Sequence, residues 1–324
     1  MSWWMSSALA GFTPFPTTDP PDVSAQLAAY VERRGDGSCG NTPPALIPPV
    51  RPASVDRAVR PYLRPDVPEV QIGDALTLVE HYEVSSLAAP LQVWYLDRQV
   101  AGQLRPELAL QVLDTLVQVA PPELRPWVDA EVHRRIDQDL RGTFRTGGRV
   151  WPYWDHLLFD LGDLPLLDQL RAEAEAAATP ARQAQRDEVG IGWSHLDDWA
   201  GGASAQTRRE LALRTELVAL SADQQLPALV TAYADTAYQP LLRAWAAHEL
   251  RRLAVAEPSR IPAIVAGARS ALPTARDDTA RARLYDVIRV FGGTLSPEEV
   301  RGEAALRPLW QWFELSHRAD GGAF

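Results

Sequence analysis

The stretch LPALV at positions 226–230 returns as IPAIV at 261–265, matching in residue type at every place. Each copy is followed by a second amphipathic segment, LLRAWAAHELRRLA in the first and TARARLYDVIRVFG in the second. Proline lacks an N–H and is harmless in a first helical turn, so the pattern predicts one helix opening near Pro227 and another near Pro262. Laid over each other, the second segments align Arg243 with Arg281, Ala246 with Leu284, Leu250 with Ile288 and Leu253 with Phe291. The second copy is slightly longer, and its extra residues fall in the connection between the helices. A pair of helices that cannot bury its apolar face alone can do so by stacking on a copy of itself, and a repeated pair is the mark of such an array.

Helical signals continue outside the repeat. From Leu124 onward, Trp127, Val128, Val132, Ile136 and Leu140 form one apolar stripe. Leu284, Val287, Ile288 and Phe291 form another, and Leu306, Leu309, Trp310 and Phe313 a third. Ser296-Pro297-Glu298-Glu299 carries a serine cap, a proline at the first helical position and a glutamate three places after the cap. Ser221 with Gln224 is a weaker version of that box. No segment reads convincingly as a strand. Prolines crowd the beginning: 12 of the 27 fall at or before Pro68. Residues 1–67 therefore read as a proline-rich N-terminal arm with one helix, Val23 to Arg34, capped by Asp22 and stopped by Gly35. Residues 68–324 read as a single all-α domain of stacked helical hairpins.

The region 224–292 resembles HEAT repeats: a first helix opening near proline, a turn, then a second helix with arginine ahead of an A-x-x-L-type core. The segment 105–136 has the two-helix layout without the matching letters, and 297–317 would serve as a terminal cap. The unit is shorter than the usual HEAT length, and the aspartate often found between the helices is not fixed in both copies. The resemblance implies an α-solenoid whose second helices line a concave binding surface. A HEAT-like fold also occurs in some alkylpurine DNA glycosylases, which track DNA over a basic concave face.

On that alignment Ala246, Leu250 and Leu253 belong to the core. Trp245, His248 and Arg252 are left on a flanking face, with Arg283 and Asp286 at the equivalent places one unit later. From Gln239 to Val290 there are nine arginines against five acidic residues. This face is accordingly the expected binding groove, suited to a protein partner with an acidic surface. The alternative on the same residues is a solvated face whose arginines pair with neighbouring acids.

A second near-repeat, WDHLLFDLG at 154–162 and WSHLDDWAG at 193–201, brings a different possibility. On helices, His156 and Asp160 share a face, as do His195 and Asp198. Two imidazoles and two carboxylates from facing helices would suit a divalent metal. Without an HExxH motif or a cysteine ligand, the same residues also read as tryptophan and histidine filling a wall between hairpins. A metal-dependent enzyme is therefore the alternative function, and no cofactor is expected on the first reading. The doublets Asp197-Asp198 and Asp277-Asp278 have a superficial likeness to the helical terpene cyclases. Neither has the further acid such a magnesium site requires, and Asp277-Asp278 reads more simply as a helix start. Glycine-rich phosphate loops and nucleophile elbows are missing from the sequence.

Composition narrows the partner. The formal charge of −10 argues against non-specific nucleic-acid binding, which needs clustered positive charge. All 32 basic residues are arginine. Codon usage in a GC-rich genome would account for that, as would selection against lysine modification. A single cysteine excludes an intramolecular disulfide and suits a reducing compartment. No apolar run is long enough to span a bilayer. The first basic residue is Arg33, so the opening MSWWMSSALAGFTPF lacks the charged start of a secretory signal, and a cytoplasmic location is expected.

Overall fold

The computed structural model describes residues 31, 52–64, 66–67, 69–146, 153–187, 203–235, 237–238 and 240–306. Helices dominate these residues, and no strand occurs among them. In chain order the helices are α1 (Pro52–Val59), α2 (Glu69–His81), α3 (Ala88–Val100), α4 (Pro106–Val119), α5 (Arg125–Arg135), α6 (Arg141–Thr146), α7 (Tyr153–Leu161) and α8 (Leu164–Asp187). They continue with α9 (Ala203–Val218), α10 (Ala222–Ala234), α11 (Pro240–Ala256), α12 (Ile261–Ala271), α13 (Asp278–Val290) and α14 over residues 297–306. Of the expected helix at Val23–Arg34, Val31 is helical and buried, and its other residues lie outside the described ones.

The chain divides into two compact units, Met1–Val84 with Leu217–Phe324, and Ser85–Glu216. In the second unit α4 is the central helix and packs on α3, α5 and α7. It buries Leu108, Ala109, Val112, Leu113, Leu116 and Val117 on faces that together leave little of it to solvent. A helix buried on most sides must be apolar most of the way round, as this one is.

α5 runs into α6 through a π turn, Ile136–Leu140. The sequence explains the wide turn. Val128, Val132, Ile136, Leu140 and Phe144 are all buried and stand strictly four apart. An α-helix of 3.6 residues per turn would drift about 40° at each such step. The wide turn takes up part of that drift, and all five side chains are buried.

In the first unit α10 packs on α11, α12 and α13, and α12 packs on α13. Ser296 and Glu299 form the reciprocal box the sequence predicts: the Ser296 N–H donates to a Glu299 carboxylate oxygen at 2.6 Å, and the Glu299 N–H donates to Ser296 Oγ at 3.2 Å. At Ser221 the box is incomplete. Its hydroxyl meets Gln224 Oε1 at 3.0 Å and caps no backbone N–H. The helix nonetheless begins there, one turn earlier than the proline pattern suggests. Pro262 is in the first turn of α12 as expected, but Pro227 lies inside α10. Its ring is exposed, so α10 loses one ladder bond without burying the orphaned carbonyl against a neighbour's core.

Candidate functional site

α2 ends in a Schellman turn: the Glu83 N–H donates to the Glu80 carbonyl at 3.2 Å and the Val84 N–H to the Val79 carbonyl at 3.0 Å. The same paired bonds close α3 at Gly102 and α13 at Gly292, each with positive φ. At α2 the left-handed position is held by a glutamate, with φ 52°, the one non-glycine residue with positive φ among those described. A left-handed residue with a Cβ costs about 1–2 kcal/mol. The turn aims the Glu83 carboxylate at α11, where Oε1 lies 3.6 Å from His248 Nδ1 and 3.7 Å from Arg251 Nε.

Burial dominates the electrostatics of this corner. It pushes the Glu83 carboxyl up to about 7; the Arg251 and Arg252 cations pull it back and the Glu249 carboxylate adds to the rise. Arg251 is itself lowered by burial, against the attraction of Glu83, Tyr82, Glu80 and Tyr233. Tyr233, fully buried in α10, is raised by burial and feels Asp286, Arg283, Arg243 and Arg251. On α13, burial pushes Asp286 up to about 7, with Glu303 raising it further and Arg283 and Arg289 opposing. A line of buried titratable groups therefore runs from Glu83 through Arg251 and Tyr233 to Arg283 and Asp286. Buried ions of this kind are costly and are kept only where their partners are fixed.

The five residues expected to form a groove occupy different settings along this line. Trp245 and Arg283 are buried, and His248 and Asp286 are largely so. The Arg283 guanidinium donates to the Ala234 carbonyl at 3.4 Å. Arg252 is the exposed member, with half its side-chain surface open, and it pairs with Glu249 at 2.7 Å. Sequence reading missed Glu83, Arg251 and Tyr233. Glu83 follows its helix with no glycine to mark a turn, and its partners sit on α11, remote from it along the chain.

The residues of the alternative metal site are only partly described. His156 and Asp160 share α7 as expected, whereas His195 and Asp198 lie outside the described residues. Asp160 accepts a hydrogen bond from Gln118 Nε2 at 2.9 Å. Burial pushes His156 down to about 4, which keeps its ring neutral. Among the described residues, no group of three or more histidine, cysteine, aspartate or glutamate side chains is placed to hold a metal.

A second buried network, also unseen in the sequence, joins α3 to α5. The Tyr95 hydroxyl donates to Glu131 Oε1 at 2.6 Å and accepts from Arg135 Nε at 2.8 Å. Arg135 lies 5.6 Å above the Tyr95 ring and also reaches Asp139 at 3.1 Å, while Trp127 meets Tyr95 edge to face. Every polar group named here has a partner, which is the pattern of a structural clamp. Neither network contains a serine or cysteine nucleophile. Among the described residues no helix is long and apolar enough to cross a membrane.

Compared with protein-family models, curated proteins and solved structures, the chain matches none of them.

Proposed function

We propose that this chain is a non-catalytic binding protein, a cytoplasmic scaffold or adaptor built from HEAT-like stacked helical hairpins and presenting a helical surface to a protein partner. One observation carries the reading: four apolar pairs aligned between the two copies are buried in both. Leu229 and Ile264, Ala246 and Leu284, Leu250 and Ile288, and Leu253 and Phe291 are all buried, Phe291 just past the end of α13 and the others in helices that pack as α10 on α11, α10 on α12 and α12 on α13. Arrays of this kind offer extended surfaces built from repeated elements, and their work is mostly recognition. Within the expected groove Arg252 is the residue in a position to meet a partner directly.

Affinity purification of the tagged chain from its native host, under low-salt and high-salt washes, tests the reading. A partner recovered in stoichiometric amount and weakened by Arg252→Glu supports a binding role for this face. A chain recovered alone, with a reproducible metal content of one equivalent per chain, would overturn the scaffold reading in favour of a His156-centred enzyme.

A further inference from the structure

We infer that the outer face of α3 is a docking seam for one amphipathic helix of a partner protein, with apolar residues at heptad spacing and basic residues beside them. The inference deepens the scaffold reading and rests on it. α3 has two apolar faces. One, formed by Leu91, Trp94 and Tyr95, is buried. The other carries Ala89, Val93, Leu96 and Val100, all exposed: Val93 by 56%, Leu96 by 37% and Val100 by 89%. The intervals between these four residues are four, three and four. That is the a/d spacing by which one helix receives the knobs of another, and a strand or an irregular segment has no matching period. A helix whose outer face is meant for water places polar residues there. Single exposed apolar residues need no explanation, but a continuous three-turn seam opposite a buried face does.

Charge selects the occupant. Asp97 is exposed at the edge of the seam, and the other flanking side chains, Gln92 and Gln99, are uncharged. The only cation on α3, Arg98, lies on the buried face with its guanidinium 5.1 Å from the Trp94 ring centroid. The unit Ser85–Glu216 carries 20 acidic residues against 14 arginines. A second copy of this chain would bring the same carboxylate and the same net charge to the seam. A helix flanked by arginine or lysine complements both its shape and its sign.

The test uses the full chain and two synthetic helical peptides with leucine at the a and d positions, one flanked by arginine and the other by glutamate. Fluorescence anisotropy should show saturable binding of the arginine-flanked peptide, weakening as salt rises. Binding of the glutamate-flanked peptide should be at least tenfold weaker. The double variant V93E/L96E, altered only at exposed positions, should lose at least tenfold in affinity for the arginine-flanked peptide while unfolding at the same temperature as the parent. Equal affinity for the two peptides, or an affinity unchanged in the variant, overturns the inference. So does a concentration-dependent dimer in light scattering that V93E/L96E dissolves, since the occupant would then be a second copy. A host partner that V93E/L96E still recovers removes the seam and leaves the scaffold reading intact; a parent chain that recovers no host partner removes the scaffold reading itself.

Discussion

Glu83 Oε1 and His248 Nδ1 lie 3.6 Å apart although they stand far from each other in the chain, and the backbone of Glu83 is held left-handed to bring them together. Glycine takes this place at the ends of α3 and α13. A glutamate there costs backbone energy that only its side chain can offset. Replacing Glu83 by glycine would relieve the backbone but remove the carboxylate from Arg251, whereas Glu83→Gln leaves the strain and removes the charge. Comparing the two variants in urea separates these contributions. Glu83→Gly is expected to recover about 1 kcal/mol of strain relative to Glu83→Gln.

The same group makes stability depend on pH. Between about 4.5 and about 7 the folded chain keeps a proton on Glu83 that the unfolded chain has released. Its contribution therefore falls as pH rises through that window and is flat above it, by about 3 kcal/mol at most. Asp286, raised from 3.8 to about 7, acts in the same direction. Urea melts of the parent and Glu83→Gln from pH 4 to pH 8 should show their stability difference shifting in favour of the variant as pH rises. A difference that is constant with pH would mean the Glu83 carboxyl titrates alike in the folded and unfolded chains.

His156 acts with the opposite sign. Its ring is pushed from 6.5 to about 4 by burial, so the folded chain binds fewer protons than the unfolded chain between those values. The stability it contributes is present above 6.5 and is lost as pH falls toward 4. Proton NMR of the His156 ring should show it neutral at pH 5.5, where a solvated histidine is mostly charged. A midpoint near 6.5 would contradict the burial described for α7.

The Arg214 side chain of α9 closes the C-terminus of α7, donating to the Phe159 and Asp160 carbonyls. It fills the space a Cβ at Gly162 would need, and Gly162 has φ 78°. Gly162→Ala is expected to cost about 1–3 kcal/mol from backbone strain and displacement of the guanidinium together. In a double-mutant cycle with Arg214→Ala the two losses should sum to less than their separate values, because removing the guanidinium frees the space while the left-handed strain persists. Strict additivity would place Arg214 elsewhere.

Apolar letters at helical spacing made the all-α class, the helix pairs α10–α11 and α12–α13 and the Ser296 box legible in the sequence alone. Local pattern had less to say about how many neighbours a helix has. α13 touches both α10 and α12, so Arg283 and Asp286, which a single core stripe leaves outside, are covered. Pro227 illustrates another limit: a start signal at Ser221 extended the helix ahead of the proline. The Glu83 and Tyr95 networks join residues on different helices and leave no local trace, since nothing in HYEV or WYLD marks a buried charge.

That the α3 seam receives a helix of a partner protein is tested most directly by placing a photo-crosslinking amino acid at Gln99, on the edge of the seam with Asp97 kept intact, and irradiating the full chain in its native host. The expected result is a covalent adduct that maps to one amphipathic, basic-flanked helix of another protein and disappears in the V93E/L96E background. Adducts confined to the chain itself, or to a second copy of it, would contradict the claim.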